Sequence, residues 1–174
     1  MIEKMDLIWV KCDERAVIPT RLDENAGADI YGIFEDDAII MKAGDIVVFN
    51  TGLKFACSKY WHPQIAERGS TGIIGLSYRA GVFDSGFRNE WKIILNNTSN
   101  KTIILYNPEN FDIDEFVEAC GEPRNTFSFY LMTKAIAQVK FNYVPEYKYL
   151  VMDEEDLKYF ESERGEGMLG SSGK

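Results

Sequence analysis

Glycine, serine and basic residues are concentrated in residues 164–174, RGEGMLGSSGK. Because glycine has no Cβ, successive backbone N–H groups in such a segment can converge on one anion. Serine hydroxyls add donors, and the guanidinium of Arg164 is a planar fork that suits phosphate. The composition predicts a polyphosphate ligand, with a disordered tail as the alternative interpretation. A Walker A loop is excluded, because its first glycine would fall on Met168.

A second group of anion donors lies in residues 67–72, ERGSTG. It combines one arginine with hydroxyls and glycines, which again suits phosphate. The alternative interpretation is a turn between a strand and a helix, in which Ser70 or Thr71 caps the helix. Capping and phosphate binding use the same donors at a helix N-terminus, so the two interpretations are compatible.

A carboxylate on a tight turn is predicted in residues 80–90, AGVFDSGFRNE, which resemble a strand, a turn and a second strand. Asp84 in this turn could orient and deprotonate a water as a general base. Phe87 could offer a flat apolar surface to a sugar. A purely structural hairpin is the alternative.

Two shorter segments complete the candidate chemistry. Residues 26–30, AGADI, form a predicted turn that brings Asp29 close to the backbone. Residues 134–138, KAIAQ, are predicted to be a strand that ends in the amide of Gln138, a possible donor to phosphate or base.

Short apolar runs separated by turn residues must position these groups, and many short strands at close spacing predict a β-sandwich or barrel. The predicted strands cover residues 8–10, 38–41, 46–49, 53–56, 91–95, 102–106, 127–131 and 135–141. Helices are predicted at residues 112–120, ending at Gly121, and at residues 153–160. We therefore expect one β-barrel domain over residues 1–160, followed by a glycine-rich phosphate-binding tail over residues 161–174.

Composition limits the classes of function. The 174 residues suit one domain, and 45% hydrophobic content is globular. A net charge of -9 disfavours nucleic acid and anionic membranes as partners. Three widely separated cysteines indicate reduced thiols in the cytoplasm and no zinc site. His62 is the single histidine, which removes most histidine-based metal sites and catalytic triads. No signal peptide or membrane-length apolar run is expected.

Taken in order, AGADI, ERGSTG, AGVFDSGFRNE, KAIAQ and RGEGMLGSSGK resemble the five motifs of the trimeric dUTP diphosphatase (dUTPase) family. The resemblance implies a jelly-roll-like barrel and a homotrimer whose active sites each draw residues from all three subunits. It also implies hydrolysis of dUTP to dUMP and pyrophosphate with Mg²⁺, which is held mainly by the triphosphate.

Site residues carried over from this resemblance fall on motif positions. Asp84 matches the acid that activates the attacking water at the α-phosphorus, and Phe87 stands where the family usually has a tyrosine against the deoxyribose. Gly81 and its neighbours would present backbone groups to uracil, and Asp29 would belong to the network of metal and water. The other substrate-binding positions are Arg68, Gly69, Ser70, Gln138, Arg164, Leu169, Gly170, Ser171 and Ser172.

The motifs also depart from the family pattern. The second commonly begins Pro-Arg-Ser-Ser, whereas Gly69 here removes one hydroxyl donor. Leu169 replaces an aromatic residue that stacks on uracil, so closure of the tail is expected to be weaker. Residues 106–130 are longer than a minimal member needs, and the sequence assigns them no role.

Two other functions remain as alternatives. A dCTP deaminase of the same fold would need a glutamate and a second arginine where this chain has Ile94 and Ile73. A regulatory protein that uses the nucleotide as a switch would not need the water-activating acid, so Asp84 favours catalysis.

Overall fold

The computed structural model describes residues 7–162. It divides the chain into a first unit, Met1–Val144, and a second unit, Pro145–Lys174. The tail positions predicted to bind phosphate lie outside the described residues; they are Arg164, Leu169, Gly170, Ser171 and Ser172. The prediction of a separate tail from residue 161 therefore stays a prediction.

Strands dominate the first unit, as the sequence predicts. They are β1 Ile8–Lys11, β2 Ala28–Ile30, β3 Ala38–Met41, β4 Ile46–Asn50, β5 Leu53–Ala56, β6 Trp61–Ala66, β7 Leu76–Arg79, β8 Lys92–Asn97, β9 Thr102–Tyr106, β10 Phe127–Leu131 and β11 Ala137–Tyr143. The helices are α1 Gly69–Gly72 and α2 Ile113–Cys120, with a 3₁₀-helix at Arg124–Thr126. The all-β class with short helices is confirmed.

The strands form four small sheets in the described chain, with orders β1-β5, β10-β9-β3, β2-β11-β6 and β4-β8-β7. All pairs are antiparallel except β9 with β10, which run parallel and are joined by the segment that contains α2. The sheet that matters most for chemistry is β2-β11-β6, because the first, second and fourth motifs lie on or beside it.

The core of the first unit is built from the inward-facing side chains of these sheets. Its largest members with almost no exposed surface include Trp91, Ile30, Met41, Leu53, Ile65, Leu76, Ile93, Leu95, Ile103 and Ile136. The Trp91 ring is stacked on Phe83 with centroids 4.3 Å apart and contacts Trp9 edge-on at 4.9 Å. This aromatic packing anchors the segment that leads to Asp84.

The predicted helix at 112–120 is confirmed, and its local signals explain it. The Asp112 carboxylate accepts hydrogen bonds from the backbone of Asp114 and Glu115 at 2.8 and 3.0 Å, which caps the first turn. Gly121 follows the last turn with φ of 67°, a left-handed conformation that glycine adopts at little cost.

The second unit contains a 3₁₀-helix at Glu154–Tyr159, where a helix is predicted. None of the helices within residues 7–162 is long and apolar enough to cross a membrane.

Three strands are missing from the prediction, namely β2, β6 and β7. Residues 26–30 are predicted only as a turn, but Ala28–Ile30 pairs with β11. The strands predicted on either side of Asp84 are wrong. Val82 makes only an isolated bridge to Gln64, because the segment follows the edge of β6 for a short distance before it turns away.

Candidate active site

The sheet β2-β11-β6 brings three of the predicted site residues together. In its central strand, Gln138 lies opposite Asp29 of β2 on one side and opposite Ala66 of β6 on the other. Arg68 follows the end of β6 by two residues, so its side chain can reach back to Asp29. Antiparallel register thus joins residues that are far apart in the sequence.

Arg68 and Asp29 form a bidentate ion pair. Nε of Arg68 donates to Oδ1 of Asp29 at 2.9 Å, and Nη2 donates to Oδ2 at 3.0 Å. The two side chains are 26% and 37% exposed. Such fork-to-fork geometry fixes the plane of the guanidinium as well as its position.

The remaining guanidinium nitrogen of Arg68 faces a polar group that the sequence did not reveal. Nη1 donates to the carbonyl oxygen of Ala135 at 3.0 Å, to the hydroxyl of Tyr130 at 3.1 Å and to Oγ of Ser70 at 3.3 Å. Tyr130 in turn donates to the Ala135 carbonyl at 2.7 Å. Tyr130 lies in the region to which the sequence assigns no role, and its one signal is a hydroxyl within the apolar strand FSFYL.

These contacts keep Arg68 charged. Partial burial lowers the pKa of Arg68, but the carboxylate of Asp29 and the hydrogen bonds to Asp29 and Tyr130 raise it. The net result is a pKa above the ordinary value for arginine. A cation therefore lies at the site at every physiological pH.

The helix α1 starts directly after Arg68, so the predicted turn between strand and helix is confirmed. Ser70 or Thr71 is predicted to cap this helix; Arg68 occupies the capping position, and of the two predicted residues Thr71 takes part in the cap. Oγ1 of Thr71 accepts from the Arg68 backbone N–H at 3.1 Å and donates to the Arg68 carbonyl at 3.0 Å. Within residues 7–162, the backbone N–H groups of Gly69 and Ser70 have no acceptor, which leaves them able to bind an anion.

A cavity of about 590 Å³ opens over these donors. The lining residues are Glu24, Asn25, Ala26, Gly27, Asp29, Arg68, Gly69, Ser70 and Gln138. It holds a fixed cation, a hydroxyl and backbone donors, and this set of groups suits phosphate oxygens.

Gln138 lines this cavity, and a hydrogen bond orients its amide. It is the second residue of β11, so the prediction that it ends its strand is wrong. Its Nε2 donates to the carbonyl of Glu67. A Cβ on Gly27 would lie 2.4 Å from its Oε1. Glycine at position 27 therefore lets the Gln138 amide occupy this space, and a side chain there would displace it.

The segment around Asp84 forms a second group. Ile65 donates to the Gly81 carbonyl at 2.7 Å, and Phe83 donates to the Pro63 carbonyl at 3.0 Å, so residues 81–83 run along the free edge of β6. A Cβ on Gly81 would lie 2.4 Å from the Tyr78 ring, so a side chain there would have to displace the ring.

Asp84 begins a tight turn that Phe87 closes with a backbone hydrogen bond to the Asp84 carbonyl at 3.0 Å. The Asp84 side chain is exposed, and its carboxylate has no hydrogen-bond or ion-pair partner among the described residues. Phe87 is 39% exposed and packs edge-on against Phe83 at 5.9 Å. Neither residue lines the cavity beside Arg68. Residues 7–162 thus contain two separate groups of candidate residues, which we call half-sites: an Arg68 cluster (Asp29, Arg68, Gly69, Ser70, Tyr130, Gln138) and an Asp84 turn (residues 81–87).

Comparison with known proteins gives a consistent result. Residues 13–109 match the sequence model of the dUTPase family. The chain is 29% identical to the deoxyuridine 5'-triphosphate nucleotidohydrolase of Nautilia profundicola, over 98% of this chain and 100% of that protein. It is 34% identical to the enzyme of that name from Paramecium bursaria Chlorella virus 1, over 57% of this chain and 70% of the viral protein.

Solved structures share the fold. The dUTPase of Staphylococcus bacteriophage 80alpha, solved with dUpNHpp, superposes with a TM-score of 0.68 at 19% identity, covering 97% of this chain and 99% of the phage chain. The dUTPase of EIAV superposes with a TM-score of 0.61 at 17% identity, covering 86% of this chain and 98% of the EIAV chain.

Proposed function

The chain belongs to the dUTPase family and is a nucleotide hydrolase, and we propose that it cleaves dUTP to dUMP and pyrophosphate through the two half-sites described above. The observation that carries this proposal is that the chain presents both a fixed cation and, separately, a carboxylate with no partner among the described residues. Arg68 is fixed in a cavity lined by hydrogen-bond donors, while Asp84 lies on an exposed turn and its carboxylate has no partner among the described residues.

The Arg68 cluster would bind the phosphates. The backbone N–H groups of Gly69 and Ser70 and the Ser70 hydroxyl supply donors without added charge, and Arg68 supplies the cation. Gln138 borders the same cavity, although its Nε2 is engaged by the Glu67 carbonyl. Asp29 acts by fixing Arg68.

The Asp84 turn would bind the base and the sugar. Gly81 and Phe83 bond to β6 on one side, so the N–H and C=O of Val82 between them point to the opposite side. There they can pair with the donor and acceptor edge of uracil. The exposed ring of Phe87 would pack against the deoxyribose, where a 2′-hydroxyl would collide with it.

In the reaction, the Asp84 carboxylate accepts a proton from a water, and the water oxygen attacks the α-phosphorus in line with the leaving group. The bond from that phosphorus to the bridging oxygen breaks, and pyrophosphate leaves. Positioning and electrostatic stabilisation carry the rate of such transfers. The exposed Asp84 fits this role because no described residue engages its carboxylate, so both oxygens are able to accept from a water.

Mg²⁺ fits the site as a companion of the triphosphate. No group of three or more histidine, cysteine or acidic side chains within residues 7–162 could hold a metal alone. Both oxygens of Asp29 accept from Arg68, and we place its contact with the ion through a water. When bound, the ion neutralises charge on the phosphate oxygens.

A homotrimer with shared active sites would unite the two half-sites. Asp84 of one protomer would face the Arg68 cluster of a second, and Arg164, Leu169, Gly170, Ser171 and Ser172 of a third would cover the triphosphate. The separation of the half-sites within one chain supports this arrangement. We place the enzyme in the cytoplasm, with neither nucleic acid nor membrane as a partner.

A nucleotide panel tests the proposed reaction. Purified enzyme with Mg²⁺ is given dUTP, dCTP, dTTP and UTP, and both pyrophosphate and ammonia are measured. We expect pyrophosphate from dUTP and no ammonia from dCTP, since Ile94 and Ile73 supply no proton-transferring group. Ammonia release, or equal turnover of UTP, would contradict the proposal.

Substitution of the proposed base separates binding from chemistry. Asp84→Asn should still bind dUTP but lose at least roughly a hundredfold in kcat, the usual contribution of a positioned general base. Asp36→Asn, which also removes one exposed carboxylate, is the matched control and should keep full activity. Equal kcat in the enzyme with and without the Asp84 carboxylate would remove this residue from the mechanism.

Truncation after Ser162 tests the tail. The shortened enzyme should remain folded and lose most of its kcat, because the predicted donors to the β- and γ-phosphates are gone. Unchanged activity would show that the tail is dispensable.

A further inference from the structure

Tyr130 is a buried polar residue beside the proposed phosphate site. Its side chain is on β10, and the residue is only 5% exposed. Its hydroxyl lies 2.7 Å from the Ala135 carbonyl, 3.1 Å from Nη1 of Arg68 and 3.3 Å from Oγ of Ser70. One phenol therefore contacts both of the side chains that would donate to phosphate.

Almost all of the N–H donors of Arg68 are occupied by protein acceptors. The guanidinium of Arg68 has five N–H donors. Nε and one hydrogen of Nη2 serve Asp29, and the Nη1 hydrogens serve the Ala135 carbonyl, the Tyr130 hydroxyl and Ser70. Only the second hydrogen of Nη2 has no acceptor within residues 7–162. The orientation of that single donor depends on all the others.

The direction of the Tyr130 hydrogen bonds follows from the same geometry. Because a backbone carbonyl only accepts, the phenol hydrogen goes to Ala135, and the phenol oxygen is left to accept. It can accept from Nη1 of Arg68 and from the Ser70 hydroxyl. Ser70 therefore has an acceptor for its hydrogen before a phosphate arrives and can transfer that hydrogen bond to the ligand.

We propose that Tyr130 is a positioning residue for the triphosphate: its hydroxyl holds the Arg68 guanidinium and the Ser70 hydroxyl in the geometry that phosphate requires. This inference rests on the proposed function, whose phosphate site it deepens. Tyr130 does not touch the substrate. Because its hydroxyl orients both donors before the ligand arrives, the two side chains lose less conformational entropy when the ligand binds.

The hydroxyl is not needed to satisfy its neighbours in the folded protein. The Ala135 carbonyl would keep its hydrogen bond from Arg68 if the phenol oxygen were removed. Tyr130→Phe preserves the ring, the burial and the pairing of β10 with β9, so we expect this variant to fold normally.

The test compares Tyr130→Phe with the parent enzyme by calorimetric binding and by kinetics. The Kd for inorganic triphosphate and the KM for dUTP should rise by roughly threefold to tenfold, the loss expected for one ordinary hydrogen bond. The Kd for deoxyuridine, which carries no phosphate, should not change. Tyr106→Phe is the matched control on the adjacent strand, and it should leave all three constants unchanged.

The outcomes are distinguishable. Equal triphosphate affinity in the parent and Tyr130→Phe would overturn the positioning role, as would a parallel loss of deoxyuridine affinity, which would indicate a general structural defect. Failure of the parent to hydrolyse dUTP would overturn the proposed function, while the triphosphate measurement would still decide the role of Tyr130.

Discussion

Replacing Asp29 by asparagine tests how the Arg68 cluster is held together. The ion pair is bidentate, with both N–O distances at or below 3.0 Å. Breaking a fully buried pair costs about 3–5 kcal/mol, whereas an exposed pair contributes about 0–1 kcal/mol. The two side chains are 26% and 37% exposed, and asparagine keeps one acceptor oxygen. We therefore expect Asp29→Asn to lower the free energy of unfolding by about 1–2 kcal/mol.

The same substitution should weaken catalysis, because Arg68 keeps its charge but loses its fixed plane. We expect kcat/KM for dUTP to fall by about tenfold, with most of the change in KM. Unfolding is followed in urea at one fixed protein concentration, since the stability of an oligomer depends on concentration.

Asp13→Asn provides a matched control for Asp29→Asn. Asp13 also receives two side-chain hydrogen bonds from one arginine, at 3.1 and 2.9 Å from Arg15, but the Arg15 side chain is 52% exposed, against 26% for Arg68. The Arg15 hydrogen bonds lower the pKa of Asp13 to about 2. Any stabilisation from this pair is thus present above the ordinary aspartate pKa and is lost as the pH falls toward 2. At neutral pH Asp13→Asn should leave kcat/KM unchanged and cost less stability than Asp29→Asn. Equal effects of the two substitutions on kcat/KM would refute the reasoning.

Two further predictions concern packing and thiol chemistry. Gly27→Ala would place a methyl group 2.4 Å from Oε1 of Gln138 and so turn the amide away from the Glu67 carbonyl. We expect the free energy of unfolding, measured in urea, to fall by about 1 kcal/mol, the value of one lost hydrogen bond. Unchanged stability would contradict this prediction. Burial raises the pKa of the Cys57 thiol. At pH 8 Cys57 should therefore react with a disulfide reagent more slowly than the exposed Cys120, and the two rates should approach each other as the pH rises. Equal rates at pH 8 would count against this prediction.

Local signals explain which elements the sequence predicts correctly. Helix α2 has an acid at its start and a glycine at its end, and both act within one turn, so neither depends on the rest of the fold. Strand β6 has no such signal. Its sequence, WHPQIA, alternates apolar and polar residues, but it contains a proline, which weakens a strand prediction. It is a strand because β11 pairs with it along six positions. Tertiary pairing of this kind overrides local propensity.

The candidate site likewise contains some residues that the sequence identifies and others that only the fold reveals. Residue types and motif order point to Asp29, Arg68 and Gln138, which the structure brings together at one sheet. Tyr130 could not be selected, because a tyrosine in an apolar strand usually belongs to the core, and its contact with Arg68 depends on how β10 lies beside residue 135. The separation of the Asp84 turn from the Arg68 cluster is likewise a property of the folded sheets.

Complementation between inactive subunits tests the central claim most directly. Asp84→Asn and Arg68→Gln subunits are each assayed alone and then refolded together in equal amounts. If Asp84 and Arg68 of one site come from different protomers, one site in four combines both native residues, and the mixture should regain about one quarter of the parental dUTPase activity. If both residues of a site came from the same chain, no site would be restored. A mixture as inactive as its separate components would contradict the account.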